Sequence, residues 1–159
     1  MVKLLYCHLI VFTYNAPFLT NMLINKTQSL IRFSEVDSMR IVWHGNYVKY
    51  LEDGREAFGR EFGLGYYDVF NHGLMTPIVK LDVNYKQNVR YDETITIETK
   101  YVLTDAAKII FDYKIYRDTD NKVALTARST QVFIDKQGVL QLTNPDFYME
   151  WKKKWGLIA

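Results

Sequence analysis

Between residues 34 and 56 the chain reads SEVDSMRIVWHGNYVKYLEDGRE. Two carboxylates, Glu35 and Asp37, precede a Trp43–His44 pair, and an amphipathic helical pattern starts directly after it. In an extended chain, residues two apart point to the same side, so the two acids could share a site. The first turn of the helix would offer free backbone N–H groups near His44, Gly45 and Asn46. Those groups and the helix dipole favour a negative oxygen. A carboxylate that attacks a carbonyl or activates water, next to amides that hold the oxyanion, is the apparatus of acyl transfer. The residues alone leave two readings open for Asp37, a catalytic acid or a capping and turn-forming one. His44 either places substrate and moves a proton, or caps and stacks beside Trp43. Trp43 reads as wall or core. Glu52 borders the apolar helix face and points toward a pocket at the helix start. Asp53 and Arg55 read as solvated, and Glu56 with Arg60 as an i,i+4 ion pair.

Other chemistries find little support. His8, His44 and His72 are far apart, with no H-E-x-x-H pattern and no cysteine pair, so no metal site is expected. There is no G-x-S-x-G elbow and no glycine loop of the phosphate-cradling kind, and Gly63-Leu64-Gly65 is too short to count. His72 reads as a loop residue. Twenty Lys and Arg against 18 Asp and Glu give a net charge of +2. That is too small to make nucleic acid the main partner. Cys7 is the single cysteine of the chain, so no intrachain disulfide can form, which fits a reducing, cytoplasmic setting. No apolar run is long enough to span a bilayer, so no stable membrane insertion is expected. The first residues, MVKLLYCHLIVFTYNAPFL, are loosely like a signal peptide, but His8 interrupts the run and no clear cleavage site follows. A translation start at Met22 is the other reading.

The elements that must position these residues follow from periodicity. Thr27 to Phe33 alternates as a strand. From Asn46 to Phe62, Tyr47, Tyr50, Leu51, Gly54, Phe58 and Phe62 recur at threes and fours, one face of a helix that Gly63 can stop. Gly54 on that face predicts close packing against something flat, such as a sheet. An aromatic, glycine-rich loop with a short helical turn leads to Pro77. Strands follow over 78–85, 93–103, 107–117 and 122–134, joined by links short enough to be antiparallel hairpins. Ile95, Ile97 and Thr99 mark one face, as do Ile109, Phe111, Tyr113 and Ile115. A last short helix has Asn144 as cap and Pro145 at its first position. Lys152, Lys153 and Lys154 read as solvated charges at its negative end, with a phosphate-binding patch as the alternative. The expected architecture is α+β, one long helix wrapped by a curved antiparallel sheet. The expected divisions are an N-terminal extension over 1–24, the domain over 25–142 and the terminal helix over 143–159.

The segment FSEVDSMRIVWHGNYVKYLEDGR resembles the hotdog-fold acyl-CoA thioesterases of the 4-hydroxybenzoyl-CoA thioesterase family, and within it the branch of the Tol-Pal-associated thioesterase. The shared pattern is an acid, a variable residue and Asp, then Val–aromatic–His, a small residue, Asn-Tyr, and an acid-x-x-Arg in the helix. Here these are Glu35-Val36-Asp37, Val42-Trp43-His44-Gly45-Asn46-Tyr47 and Glu52-Asp53-Gly54-Arg55. The resemblance covers about residues 30–134. It implies that Asp37 is the catalytic carboxylate, nucleophile or general base, and that the backbone N–H at His44 polarises the thioester carbonyl. It implies that Asn46 and Tyr47 fix the helix start, with Trp43 and Gly45 beside the substrate, and that Glu52 faces the pocket. The substrate would be an acyl-CoA, with Lys80, Lys86 and Arg90 as candidate contacts to its phosphates, and no cofactor. A site between two subunits of a homodimer or homotetramer is also implied. An acyl–acyl carrier protein thioesterase and a non-catalytic acyl-CoA-binding protein of the same fold are the alternatives. One departure stands out. Where the family often has Asp-x-x-Gly, this chain has Asp37-Ser38-Met39-Arg40, which puts the local turn in question and brings two bulkier side chains.

Overall fold

A computed structural model describes residues 22–159. The expectations for a leader-like run or an extension before residue 22 lie outside the described residues. The element order is β1 (Ile24–Leu30), a short 3₁₀ turn (Phe33–Glu35), α1 (Asn46–Phe62), α2 (Tyr66–Phe70), β2 (Leu74–Met75), β3 (Ile78–Tyr85), β4 (Thr94–Val102), β5 (Lys108–Arg117), β6 (Lys122–Val132), β7 (Ile134–Asp135) and α3 (Asp146–Lys154). Five strands form one antiparallel sheet in the order β1-β4-β5-β6-β3, and β2 pairs with β7. The sheet curves around α1, which makes this a hotdog fold. The first strand runs three residues earlier than its alternation predicts. Ile134 leaves the β6 ladder to pair with Met75, so the last predicted strand is two elements.

Helix α1 has the predicted bounds because its apolar residues fall on one face and Gly63 ends it in the left-handed region, at φ 72°. That conformation is open to glycine and costly for other residues. Tyr47, Tyr50, Leu51, Phe58 and Phe62 are buried on that face. Gly54 sits where the helix meets β4. A Cβ there would lie 2.6 Å from the Thr99 hydroxyl and 2.7 Å from Ile97 Cγ2. At Gly59 a Cβ would lie 2.6 Å from the Cα of Gly65, so the end of α1 and the start of α2 are in backbone contact. The inward faces of β4 and β5 are the predicted ones, with Ile95, Ile97, Thr99, Ile109, Phe111, Tyr113 and Ile115 all buried. The Phe58 ring meets Phe111 at 4.9 Å between centroids.

Helix α3 closes the open end of α1. The indoles of Trp151 and Trp155 both donate to the Phe62 carbonyl, at 2.8 and 2.9 Å, and so satisfy an oxygen that the helix end leaves without a partner. The start of α3 differs from expectation. Pro145 is the capping residue and the helix begins at Asp146, while the Asn144 side chain donates to the Asp105 carbonyl. Lys152 is also a correction. It is 1% exposed, not solvated. Its Nζ donates to the Thr104 carbonyl at 2.9 Å and lies 4.3 Å from the centre of the Tyr148 ring. The (CH2)4 stem completes the core under α3, and the carbonyl and ring receive the charge.

Burial lowers the Lys152 pKa from its usual value of 10.5. The unfolded chain therefore binds this proton more tightly than the folded one. Stability rises as pH climbs from the folded pKa toward the unfolded value. Urea melts of the wild type and Lys152→Met between pH 7 and 10 check this. The wild type is expected to gain on the variant as pH rises, and parallel curves would refute the desolvated ammonium.

Candidate active site

The acid loop is a miniature hairpin rather than an extended strand. Phe33–Glu35 turns as a 3₁₀ element, Val36 pairs with Val42, and Ile41 pairs with Arg90. The Asp37 N–H donates to the Ile41 carbonyl and the Arg40 N–H donates back to the Asp37 carbonyl, both at 2.9 Å. Glu35 and Asp37 therefore do not share one side of a strand, as simple alternation predicts. The Glu35 carboxylate turns back to accept from the Arg32 N–H at 2.7 Å. An Asp37 carboxylate oxygen accepts from the Met39 N–H at 2.8 Å, and the other oxygen has no partner among the described residues. Asp37 is thus both a turn-former and a half-exposed carboxylate.

The turn is completed without the glycine. Arg40 itself adopts the left-handed region, at φ 60°. A non-glycine residue there costs about 1–2 kcal/mol, and part of this would be offset by the extra unfolded-state freedom of a glycine. Arg40→Gly is therefore expected to stabilise the protein by about 0.5–1 kcal/mol. A thermal melt checks it, and a lower Tm would mean that the Arg40 side chain contributes more than its strain. Met39 is 69% exposed.

The hairpin is fastened to the start of α1. The Trp43 N–H and the Asn46 side-chain amide both donate to the Glu35 carbonyl at 2.9 Å. Asn46 and Tyr47 are both buried at the helix start. The Tyr85 hydroxyl donates to the His44 carbonyl at 3.1 Å from the end of β3. The Val42 N–H donates to the Val89 carbonyl, which ties the loop to the β3–β4 connection. Of the three amides expected to be free, that of Asn46 is taken, donating to the Trp43 carbonyl. Among the described residues, the His44 and Gly45 amides donate to no group of the chain. Burial pushes the Tyr47 hydroxyl up to about 12. Burial and then the negative charge of Glu35 raise that of Tyr50. Both are neutral hydroxyls in the working range.

Trp43 is not core. It is 47% exposed and lies against the His44 ring at 4.8 Å. Its indole also covers Gly45, where a Cβ would meet it at 2.0 Å. A cavity of about 240 Å³ opens at this point, lined by Ile41, Val42, His44, Tyr47, Tyr85 and Lys86 among others. Lys86 thus joins His44. Arg90 lies across the loop backbone from Ile41. Lys80 is removed from both and pairs with Asp82 at 3.1 Å.

Glu52 lines a second, larger and more apolar cavity of about 400 Å³, not one at the helix start. It is eight residues past His44, which is about 12 Å along a helix. Arg55 is not simply solvated. Its side chain is 20% exposed, and it pairs with Glu52 at 3.3 Å on the cavity rim. Glu56 and Arg60 form the predicted pair, at 3.2 Å. His72 stacks on Phe147 at 4.4 Å, away from both cavities. Sequence reasoning passed over Tyr85 and Gln131. Gln131 lines the larger cavity. Its signal is faint, an amide in the inward phase of a strand whose neighbours in that phase are Ala127, Ser129 and Phe133. Among the described residues no cluster of ligating side chains could hold a metal, and no helix is long and apolar enough to cross a membrane.

The fold and this loop-and-helix arrangement define a hotdog protein of the thioesterase type. Residues 31–151 match the thioesterase-like superfamily, and the chain belongs to it. Among curated relatives, the Bacillus subtilis protein named "Putative acyl-CoA thioesterase YneP" is 28% identical over 128 residues, 80% of this chain and 92% of its own. Among solved structures, the 4-hydroxybenzoyl-CoA thioesterase of Pseudomonas sp. strain CBS-3 superposes with a TM-score of 0.70. It is 25% identical and covered over 80% of this chain and 98% of its own. The Staphylococcus aureus DHNA-CoA thioesterase has the same fold, with a TM-score of 0.71, 24% identity and coverage of 86% and 92%. Hydrolysis of an acyl thioester is the general activity that goes with this membership.

Proposed function

We propose that the chain hydrolyses acyl-CoA to the free acid and coenzyme A, with Asp37 as its carboxylate and the His44 amide as its oxyanion donor. The observation that carries the proposal is the hairpin that fastens a carboxylate to a helix start, with one carboxylate oxygen and two amides that have no partner among the described residues. The thioester carbonyl oxygen accepts from the His44 N–H, and the Gly45 N–H stands beside it. As the carbonyl carbon becomes tetrahedral, its oxygen gains charge where donors already stand. Asp37 either takes a proton from the water that attacks that carbon, or attacks it to form a mixed anhydride that water then cleaves to the free acid and the carboxylate; in both the thiolate leaves. Lys86, in the lining of the His44 cavity, and Arg90, bridged to the loop at Ile41, are the cations proposed to meet a negatively charged carrier. The relatives' names support coenzyme A as that carrier. The likeness to the Tol-Pal-associated branch is the finer reading of the same motif.

A second copy completes the site in this proposal. Among the described residues strand β3 is paired on one edge only, and Ile78 and Val79 on it are 42% and 58% exposed. An apolar free edge invites another strand. Self-pairing about a two-fold axis is antiparallel. It would lay the Ile78 end of one β3 beside the Tyr85 end of its partner. The larger cavity of one copy would then adjoin the His44 cavity of the other, joining a room for the acyl group to the reacting carbonyl. Thiol release from short, long and aromatic acyl-CoAs, measured beside the same chains on acyl carrier protein, tests the activity. Faster turnover of the carrier-protein thioesters would replace coenzyme A as the carrier. Binding of acyl-CoA with no thiol released would refute the enzyme.

A further inference from the structure

We infer that Tyr85 is a positioning residue for the reaction: through the His44 carbonyl it strengthens the Gly45 N–H as a second donor to the oxyanion. This rests on the thioesterase reading above. The Tyr85 hydroxyl donates to the His44 carbonyl at 3.1 Å. That carbonyl and the Gly45 N–H belong to one peptide unit. The unit is trans, so its C=O and its N–H point in opposite directions. Tyr85 therefore stands behind the Gly45 amide, on the side away from whatever that amide donates to. Among the described residues the amide donates to no group. The Tyr85 ring is set edge-on against the buried Tyr47 ring, with 5.4 Å between centroids, and this contact aims the hydroxyl.

The neighbouring peptide unit has the same build. The Trp43 carbonyl accepts from the Asn46 N–H at 2.9 Å, and the N–H of that unit is the His44 amide, which also donates to no group among the described residues. Each of the two amides thus has a hydrogen bond at its back. A bond accepted by a peptide oxygen draws electrons from the nitrogen and makes the N–H a stronger donor, by about 10–30% per bond. Behind the His44 amide the backing donor is backbone. Behind the Gly45 amide it is a side chain brought in from the end of β3. The Trp43 indole covers Gly45 and thins the water there, and such polarisation counts for more where water is scarce. As the thioester carbon turns tetrahedral, its oxygen gains charge and both bonds in the line from Tyr85 to Gly45 to the oxyanion tighten together. An interaction that grows toward the transition state acts on kcat rather than on KM.

The test varies how strongly residue 85 donates, in the full chain, with hexanoyl-CoA and benzoyl-CoA as substrates at pH 6. Tyr85→Phe keeps the ring and removes the hydroxyl. Fluorotyrosines placed at position 85 by codon suppression keep the hydroxyl and make it a stronger donor with little change of shape. In Tyr85→Phe kcat is expected to fall about tenfold, short of the hundredfold or more for an oxyanion donor lost outright. In the fluorinated proteins kcat is expected to exceed the wild-type value, and KM to stay within about twofold throughout. A gain over the wild type cannot come from a part-folded sample. In the free protein the Gly45 amide proton, read by NMR, is expected to move downfield along the same series. Fluorinated proteins no faster than the wild type would make the Tyr85 bond a structural fastening and overturn the inference, leaving the thioesterase reading intact. An effect carried by KM overturns it too, as does a Gly45 proton indifferent to residue 85. If the wild type cleaves no thioester, the thioesterase reading itself fails, and this inference with it.

Discussion

Asp37→Asn is expected to lower kcat for acyl-CoA hydrolysis by at least about a hundredfold, the range for losing a positioned acid or base. The substitution is clean for a structural reason. Asp37 holds its turn by accepting from the Met39 N–H at 2.8 Å and through its own backbone bonds to Ile41 and Arg40. An asparagine side-chain oxygen accepts the same Met39 bond, and Asn and Asp are both at home in such turns. The variant therefore keeps the hairpin and loses only the negative charge. Substrate binding through the carrier and acyl group is untouched, so KM is expected to change little. An unfolded or aggregated variant would show in its melt. A folded variant with near-wild-type turnover would end the assignment of Asp37 and return it to the role of turn-former.

The largest expected loss of stability is at Gly54. In Gly54→Val the new Cβ falls 2.6 Å from the Thr99 hydroxyl and 2.7 Å from Ile97 Cγ2. Both neighbours are 0% exposed, in a strand flanked by β1 and β5, and have nowhere to move. The helix must lift from the sheet instead. One turn further on, that lift would part the Phe58 and Phe111 rings. Overpacking of this kind costs about 1–3 kcal/mol and occasionally more, and a valine recovers only a few tenths from its better helix propensity. With two buried side chains of an inner strand obstructed, about 3 kcal/mol is expected. For a chain of this size that lowers Tm by roughly 6–12 °C. Gly54→Ala carries the same Cβ without the branches and is expected to fall between. Melts of the two variants that overlay the wild type would show that α1 does not lie on β4.

Local periodicity made the scaffold legible. The helix over 46–62 was readable because each of its buried rings recurs at three or four residues and a glycine ends it. The inward faces of β4 and β5 were readable because alternation is itself the property that buries them. The acid loop was less so, because its shape depends on distant groups. The Glu35 and Val89 carbonyls receive the bonds that place it, and Arg40 takes a backbone region that its residue type seldom adopts. Nothing in a single sequence announces those. The run Lys152-Lys153-Lys154 misled for a related reason. Three like residues at a helix end read alike, yet the turn of α3 points one of them inward to the Thr104 carbonyl.

The contact between Gly59 and Gly65 bears on how the enzyme could change its diet. Leu64, Gly65 and Tyr66 form one wall of the larger cavity, and that wall is joined backbone to backbone to the end of the central helix. It cannot swing aside for a longer guest without carrying the helix along. With the acyl group in this cavity, as proposed, length preference would be written into which side chains stand in the wall rather than into any loop motion. Lineages that acquire new substrates on this scaffold are expected to do so by replacing Met75, Ile109 or Ile134, and to leave the two glycines alone.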